Sequence, residues 1–359
     1  MTNIGVGIIG ASPGGASWAA ASHIPALRAV NGFELKAVAT SRRSSADAAA
    51  SAWAVDAYDD PRFLIDHPGV DLVVIAVKVT QHRDLVEQAL TAGKMVYCEW
   101  PLGASLTEAE HLAELAATAG IRTVIGLQAR FAPAVQHMKQ LVDDGYLGDV
   151  LATTMSGSGI AWGPTTDRAH AYMFDAASGA NTLTVPAGHA LDALTYVLGD
   201  TTRVTATLGV GRKRVAVLDE GTTIPVTAAD QVAITAALSS GATVSVFYRG
   251  GRSRAGDLRW EINGTDGDLL LTSPSPNGNI QTTDLILTGG TGDADTVRPI
   301  QVTHRAELSA LPTGPAQNVA GLYAALAEDL ADGSQRVPDF ARAVVMHRLL
   351  ADIESQATT

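Results

Sequence analysis

The chain has 359 residues, a net charge of -12 and one cysteine, with 46% hydrophobic and 17% charged residues. That length exceeds what one core serves, roughly 250–300 residues, so two domains are expected, and no compositional sign of disorder is present. The negative balance, with no dense Lys/Arg run, excludes nucleic acid as an expected partner, and Cys98 alone excludes an intrachain disulfide framework or a multi-cysteine metal site, consistent with a reducing, cytoplasmic setting. The opening "MTNIGVGIIGASPGG" has no basic region before its short apolar run and reads as a buried strand, not a signal peptide. No run approaches the roughly 18 apolar residues of a membrane span.

In chain order, "IGVGIIG" precedes a helical pattern from Trp18 to Val30, "FELKAVAT" precedes Ser44 to Trp53, and "DLVVIAV" precedes His82 to Ala92. Such alternation predicts parallel strands with crossover helices. "KMVYCEW" is followed by a helix from Leu106 to Ala119 with Ser105 and Glu108 at capping-box spacing, and "IRTVIGLQ" supplies one more strand. From Asp149 on, strands such as "RVTATLGVG", "DQVAITAALSSGATVSVFYRGG" and "DLRWEINGTDGDLLLTSP" are separated by hairpin-type turns. A helix from His189 to Leu198 lies among them, Pro274 to Asn279 reads as a surface turn, and helices near Ala316 to Ala331 and Asp339 to Ile353 close the chain. The expected fold is α/β. An N-terminal Rossmann domain, residues 1–126, precedes a C-terminal α+β domain, residues 127–359, with an open, mostly antiparallel sheet, and the terminal helices are expected to pack back on the first domain. An uncovered sheet face predicts a homo-dimer or homo-tetramer.

"GIIGASPGGASW" places Gly10, Ser12, Gly14 and Gly15 between the first strand and the first helix. Backbone free of side chains can turn there and approach a pyrophosphate, so the turn predicts a dinucleotide. Gly-rich turns also serve helix–strand packing, and the spacing departs from G-x-G-x-x-G. After the second strand, Ser41, Arg42 and Arg43 stand where NAD requires a carboxylate. Hydroxyls and cations there predict a preference for NADP(H) over NAD(H), the plainer reading being two solvated arginines at a helix start.

The stretch "DLVVIAVKVTQHRDLVEQALTAGKMVYCEWPLGASLTEAEHLAELA" resembles the Gfo/Idh/MocA family of NAD(P)-dependent oxidoreductases, and the likeness continues through "GLQARFAPAVQHMKQLVDDGYLGDV" and "SGANTLTVPAGHALDALTYVLGD". Within the family it is greatest to the galactose-regulon repressor branch, which shares Glu-Trp in place of Glu-Lys. The resemblance implies a cofactor bordered by Val77, Lys78, His82, Glu99, Trp100 and Gln128. It also implies that the family's lysine, aspartate and histidine correspond here to Trp100, Val185 and His189. Two of those three polar groups are absent, and Lys78 stands where relatives carry a proline.

A hydride transfer needs a group to manage one proton, and an imidazole titrates near neutral pH. His189 is the main candidate, with Lys78 and Tyr172 as further catalytic candidates. Asp192 shares a helix face with His189 at i, i+3 and is placed to orient it, or to act as its partner in the core. For a sugar, polyol or related cyclic carbonyl substrate, Trp100, Trp162, Arg168 and His189 are the expected contacts, with His170 in the same loop as Trp162 and Arg168. His23 opens a helix and reads as a hydrogen-bonding residue there. No metal-ligand spacing occurs. The alternative is a dinucleotide-binding regulator without turnover.

Overall fold

The computed structural model describes residues 3–14 and 17–358. The chain divides into two compact units, one formed by Met1–Gln128 with Arg305–His347 and the other by Ala129–His304 with Arg348–Thr359. Gly15, an expected cofactor contact, lies outside the described residues.

In the first unit, β1 (Ile4–Ile9), β2 (Phe33–Ala39), β3 (Asp56–Tyr58), β4 (Leu72–Ile75), β5 (Met95–Glu99) and β6 (Thr123–Gly126) form a parallel sheet of order β3-β2-β1-β4-β5-β6. Helices cover both faces of such a sheet, which is why β4 and β6 are buried along their whole length instead of alternating. The direction of winding reverses between β1 and β4, and the carboxyl ends of those two strands are where this class of sheet binds ligands. The helix Leu106–Ala119 starts as its capping box predicts. Ser105 Oγ accepts from the Glu108 amide, while the Glu108 carboxylate accepts from the Ala104 amide instead of the cap's own N–H. The expected helix from Trp18 to Val30 is broken. Ser22, at φ -120°, separates Trp18–Ala21 from His23–Ala29, and its hydroxyl donates to Trp18 O. β3 and the helix Pro61–Ile65 are too short to show as periodicity, although Asp60 before Pro61 is a helix-start signal.

The second unit holds a nine-stranded sheet. In spatial order its strands are Arg298–Pro299, Ile286–Thr291, Gly267–Thr272, Leu258–Gly264, Val150–Gly159, Thr243–Gly250, Gln231–Leu238, Thr201–Gly209 and Ala357–Thr358. All neighbours are antiparallel except Val150–Gly159 with Thr243–Gly250 and Ala357–Thr358 with Thr201–Gly209. The fold is therefore α/β, a Rossmann-type sheet followed by a mixed, mostly antiparallel one. Thr243–Gly250 alternates exposed and buried residues, as a strand does with one face on a core. A small second sheet, Thr165–Thr166, Arg214–Val217 and Thr222–Pro225, and the helix Pro133–Asp143 were not apparent from the pattern of elements. The stretch Pro274–Asn279 begins as the expected surface turn, with Pro274 and Pro276 exposed, but Gly278 and Asn279 are buried, Gly278 lying against the backbone of Asp257 and Ser158, and Asn277 Nδ2 donates to Thr282 Oγ1 at 2.9 Å. Among the described residues, no helix is long and apolar enough to cross a membrane.

The helix Pro315–Asp332 belongs to the first unit and carries the fully buried Asp329. Its carboxylate accepts from Ser334 Oγ at 2.7 Å, from Arg336 N at 2.8 Å and Nε at 2.9 Å, and from Val337 N at 3.0 Å. Burial alone raises this carboxyl's pKa, but the bonds from Val337, Ser334 and Arg336 outweigh it and hold the group below its ordinary value. Removing a buried, fully partnered charge strands its donors, so Asp329→Ala should lose about 3 kcal/mol of stability in urea denaturation at pH 7. The group's contribution is present above the unfolded carboxyl pKa and fades as pH falls through the lower folded value, so the gap between variant and wild type should shrink in acid.

Candidate functional site

The turn after β1 is shaped by Gly10. It adopts φ +103°, and a Cβ built there would lie 2.3 Å from Ala76 O and 2.9 Å from Val77 Cγ1. Only glycine lets β1 end this close to the end of β4. Ser17 ties the turn together, with its hydroxyl donating to Gly10 O at 3.0 Å and accepting from the Ser12 amide at 3.3 Å. Gly14 faces open space, with no non-neighbouring atom of the described residues within 4 Å of where a Cβ would stand. Gly10, Ser12, Gly14 and Val77 are thus brought to one edge, a backbone cradle that fits a dinucleotide.

After β2, Ser41 and Arg42 are exposed, and the Arg43 guanidinium pairs with Asp47 one helical turn on at 2.8 Å. Arg42 makes no side-chain hydrogen bond or ion pair among the described residues, so of the two arginines it is the one available to an anion. Lys78 is exposed at the start of the turn Val79–Gln81.

His82 is buried, with Nδ1 2.9 Å from Pro101 O, Nε2 3.1 Å from Val77 O and Cys98 Sγ 3.3 Å from Nδ1. The ring therefore ties the end of β4 to the Trp100–Pro101 turn. Burial pushes its pKa down, against the pull of the two carbonyls. Glu99 is also committed to the protein. Its carboxylate lies 2.9 Å from His23 Nε2, whose Nδ1 lies 2.9 Å from the Tyr323 hydroxyl. His23 is fully buried, so it joins two side chains and does not simply cap a helix start. Burial and then the Glu99 charge push the phenols of Tyr97 and Tyr323 well up, which keeps both protonated. Gln128 is buried with Oε1 unbonded among the described residues.

Trp100 is 5% exposed and packs its ring on His347, centroids 4.8 Å apart. His347 had no place among the expected site residues. Its spacing on the last helix, with Phe340, Ala343, Val344 and Leu350 at i, i+3, i+4 and i+10, marks it only as a polar residue on an apolar face. Nε2 of His347 has no hydrogen-bond partner among the described residues, and burial lowers its pKa to about 4.

In the second unit, His189 lies buried near the start of the helix Gly188–Leu198, straight after a π-helical turn at Leu183–Ala187, a feature often found at functional positions. Asp192, on the same helix face, is fully buried and receives two bonds from Arg130, Nε at 2.6 Å and Nη2 at 2.5 Å. Burial opposes the charge on Arg130, yet Asp192 holds its pKa above the ordinary value. The guanidinium also sits 5.0 Å over the Tyr196 ring. Arg130 lay in plain view within "LQARF", but nothing in the spacing linked it to Asp192, 62 residues away.

The loop after Val150–Gly159 is more structural than its composition suggested. Trp162 is 5% exposed and packs with Met173, Phe174, Val215 and Val226, which leaves little of its ring to stack on a ligand. Arg168 is exposed beside Glu220, and His170 Nδ1 bonds Asp167 at 2.8 Å. Tyr172 is partly buried and its phenol is pushed up by burial. Among the described residues, no cluster of His, Cys, Asp or Glu could hold a metal ion.

Residues 4–127 match the family described as an oxidoreductase family with an NAD-binding Rossmann fold, and residues 133–273 match the C-terminal domain of Gal80p. The chain belongs to the Gfo/Idh/MocA family. It is 37% identical over 178 residues to the dehydrogenase aclE of Aspergillus oryzae, covering 48% of each chain. It is 28% identical over 306 residues to the galactose/lactose metabolism regulatory protein GAL80 of Kluyveromyces lactis, covering 79% of this chain and 66% of that protein. The chain thus spans from about half to just under two thirds of the length of these relatives. A levoglucosan dehydrogenase in complex with NADH and L-sorbose superposes with TM-score 0.83 at 22% identity, covering 99% of this chain and 96% of that one, which shows a shared fold. The family is thus one of oxidoreductases in which dehydrogenases and a regulatory protein both occur.

The lowered pKa of His347 has a consequence for stability. The unfolded imidazole takes its proton near pH 6.5 and the folded one near 4, so this contribution is full above pH 6.5 and is lost as pH falls toward 4, about 3 kcal/mol in total. His82 contributes in the same direction. His347→Leu should therefore flatten the fall in urea stability between pH 7 and pH 4.5 relative to wild type, and an unchanged fall would contradict the assigned burial.

Proposed function

We propose that the chain is an NADP(H)-dependent oxidoreductase acting on a sugar, polyol or related cyclic carbonyl, or on a C=C or C=N bond of such a molecule. The observation that carries the dinucleotide half of this reading is the Gly10 turn, a backbone cradle closed by Ser17 and backed by Val77 in a unit that matches an NAD-binding family. The levoglucosan dehydrogenase with NADH and L-sorbose supports the substrate class.

The cofactor, when bound, supplies or accepts the hydride. The chain's own residues hold it and manage the proton. Ser41 and Arg42, which makes no ion pair among the described residues, favour a 2′-phosphate, since the turn directly after β2 offers hydroxyls and a cation in place of a carboxylate for the ribose hydroxyls. Arg43 contributes less, being paired with Asp47. Trp100 cannot transfer a proton near neutral pH, so His189 takes that role in the second unit, supported by Arg130 and Asp192, which fix its helix. Tyr172, kept protonated by burial, can donate a hydrogen bond to a substrate oxygen, and Lys78 adds positive charge near the end of β4. Assembly into a dimer or tetramer is part of the same reading, with the open sheet, whose exposed residues include Phe247, as the associating surface.

A second reading, a dinucleotide-binding regulator without turnover, is favoured by Trp100 at the motif position and by the match of residues 133–273 to Gal80p. Cofactor fluorescence with a panel of sugars, polyols and cyclic ketones separates the two. Under the enzyme reading, His189→Ala lowers kcat about 100-fold or more while the NADPH Kd stays within twofold. NADPH binding without turnover on any substrate favours the regulator. A chain that leaves NADPH and NADH fluorescence unchanged sinks both.

Cofactor choice is tested separately. Arg42→Ala should weaken NADPH about tenfold, the loss of one charge-assisted phosphate contact, and leave NADH within twofold. Equal losses for both cofactors would overturn the preference.

A further inference from the structure

The second unit carries a basic pocket that hydride chemistry does not use. Pro164, Arg212, Arg252, Ser253 and Arg254 line a cavity of about 590 Å³. Three arginines thus line one pocket in a chain whose net charge is -12. Like charges lining one pocket repel, an effect that solvent weakens at exposed side chains, and an anion bound among them relieves that repulsion.

Arg212 has part of that compensation inside the protein. Its Nη1 lies 3.3 Å from Asp230 Oδ2 and donates to Gly250 O at 2.8 Å, while the buried Asp230 carboxylate also accepts from the amides of Gly211 at 2.6 Å and Arg212 at 3.0 Å. Asp230 therefore fixes where Arg212 sits and neutralises one charge. Arg252 and Arg254 are exposed and make no side-chain hydrogen bond or ion pair among the described residues. Two positive charges in the pocket thus have no counter-charge among the described residues.

The segment bearing them is held firmly. Gly251 turns the chain at φ +87°, where an L side chain would be strained, and its amide donates to Gly159 O at 2.8 Å. The Ser253 amide donates to the buried Asp257 carboxylate at 2.7 Å, and Ser158 Oγ donates to the same oxygen. With the backbone pinned at both ends of the short run Gly251–Asp257, little main-chain freedom remains to be lost when a ligand orders the two side chains. A planar guanidinium presents paired N–H donors that match the oxygens of phosphate and carboxylate.

We propose that this pocket binds the anionic group, phosphate or carboxylate, of a small molecule, with Arg252 and Arg254 supplying the unpaired charge and Arg212 a third donor fixed by Asp230. The proposal does not rest on hydride transfer, and its test does not measure turnover. Inorganic phosphate and citrate would be titrated into the full chain by calorimetry, against sodium chloride at matched ionic strength. Binding with Kd of about 1 mM or tighter is expected for at least one of them, weakened at least tenfold in Arg252→Ala/Arg254→Ala and partly kept in Arg252→Lys/Arg254→Lys. Phosphate alone would assign a phosphate group, citrate alone a carboxylate, and both the shared chemistry. Both side chains are exposed, and unchanged NADPH binding and thermal unfolding of the alanine variant would confirm that it is folded. Equal affinity in that variant, no binding of either anion, or an effect reproduced by chloride would overturn the assignment.

Discussion

A carboxylate that ends a buried parallel strand must find a partner, because its desolvation costs several kcal/mol if it stays charged and unpaired. Glu99 meets that need through His23, and His23 through Tyr323. Much of the first unit follows from this chain of three. The first helix has to break at Ser22 so that His23 starts a new helix with its ring turned inward, and the helix Pro315–Asp332 has to come back from far along the chain to bring Tyr323. The edge-on packing of Tyr97 on His23, centroids 5.0 Å apart, closes the remaining side.

The same solution recurs at other buried carboxylates. Asp329 gathers the amides and side chains of 334–337, Asp230 those of Gly211 and Arg212, Asp257 those of Ser158 and Ser253, and Asp192 the fork of Arg130. Each takes several donors from a loop, or one rigid guanidinium, so a buried charge becomes a fixed point in the backbone. Loops in this protein are therefore well determined where a carboxylate lies beneath them. That is why an arginine-bearing run as polar as Gly251–Asp257 can present its side chains from a fixed frame.

Trp100 sits among these fixed points with a different chemistry. Its neighbour Glu99 is tied to His23, the turn after it is held by His82, and its own ring lies on His347. Packing fixes Trp100 at the position where the family resemblance implies a lysine. The proton role proposed for His189 follows from this, because the indole of Trp100 does not titrate near neutral pH.

The elements that were legible in the sequence are those written in local pattern. The parallel strands announce themselves as continuous apolar runs, the helix Leu106–Ala119 by its capping box, the hairpins by Gly-rich turns, and the dinucleotide turn by glycines directly after β1. Residue identity alone sufficed there, because φ/ψ preference and hydrophobic period act over a few residues. What only the tertiary structure decided are pairings across long separations: Glu99 with His23 and Tyr323, Asp192 with Arg130, Trp100 with His347, and Arg212 with the loop of Arg252 and Arg254. A polar residue reads the same in a sequence whether it faces solvent or a buried partner, since burial and charge compensation are set by which distant segments the fold brings together.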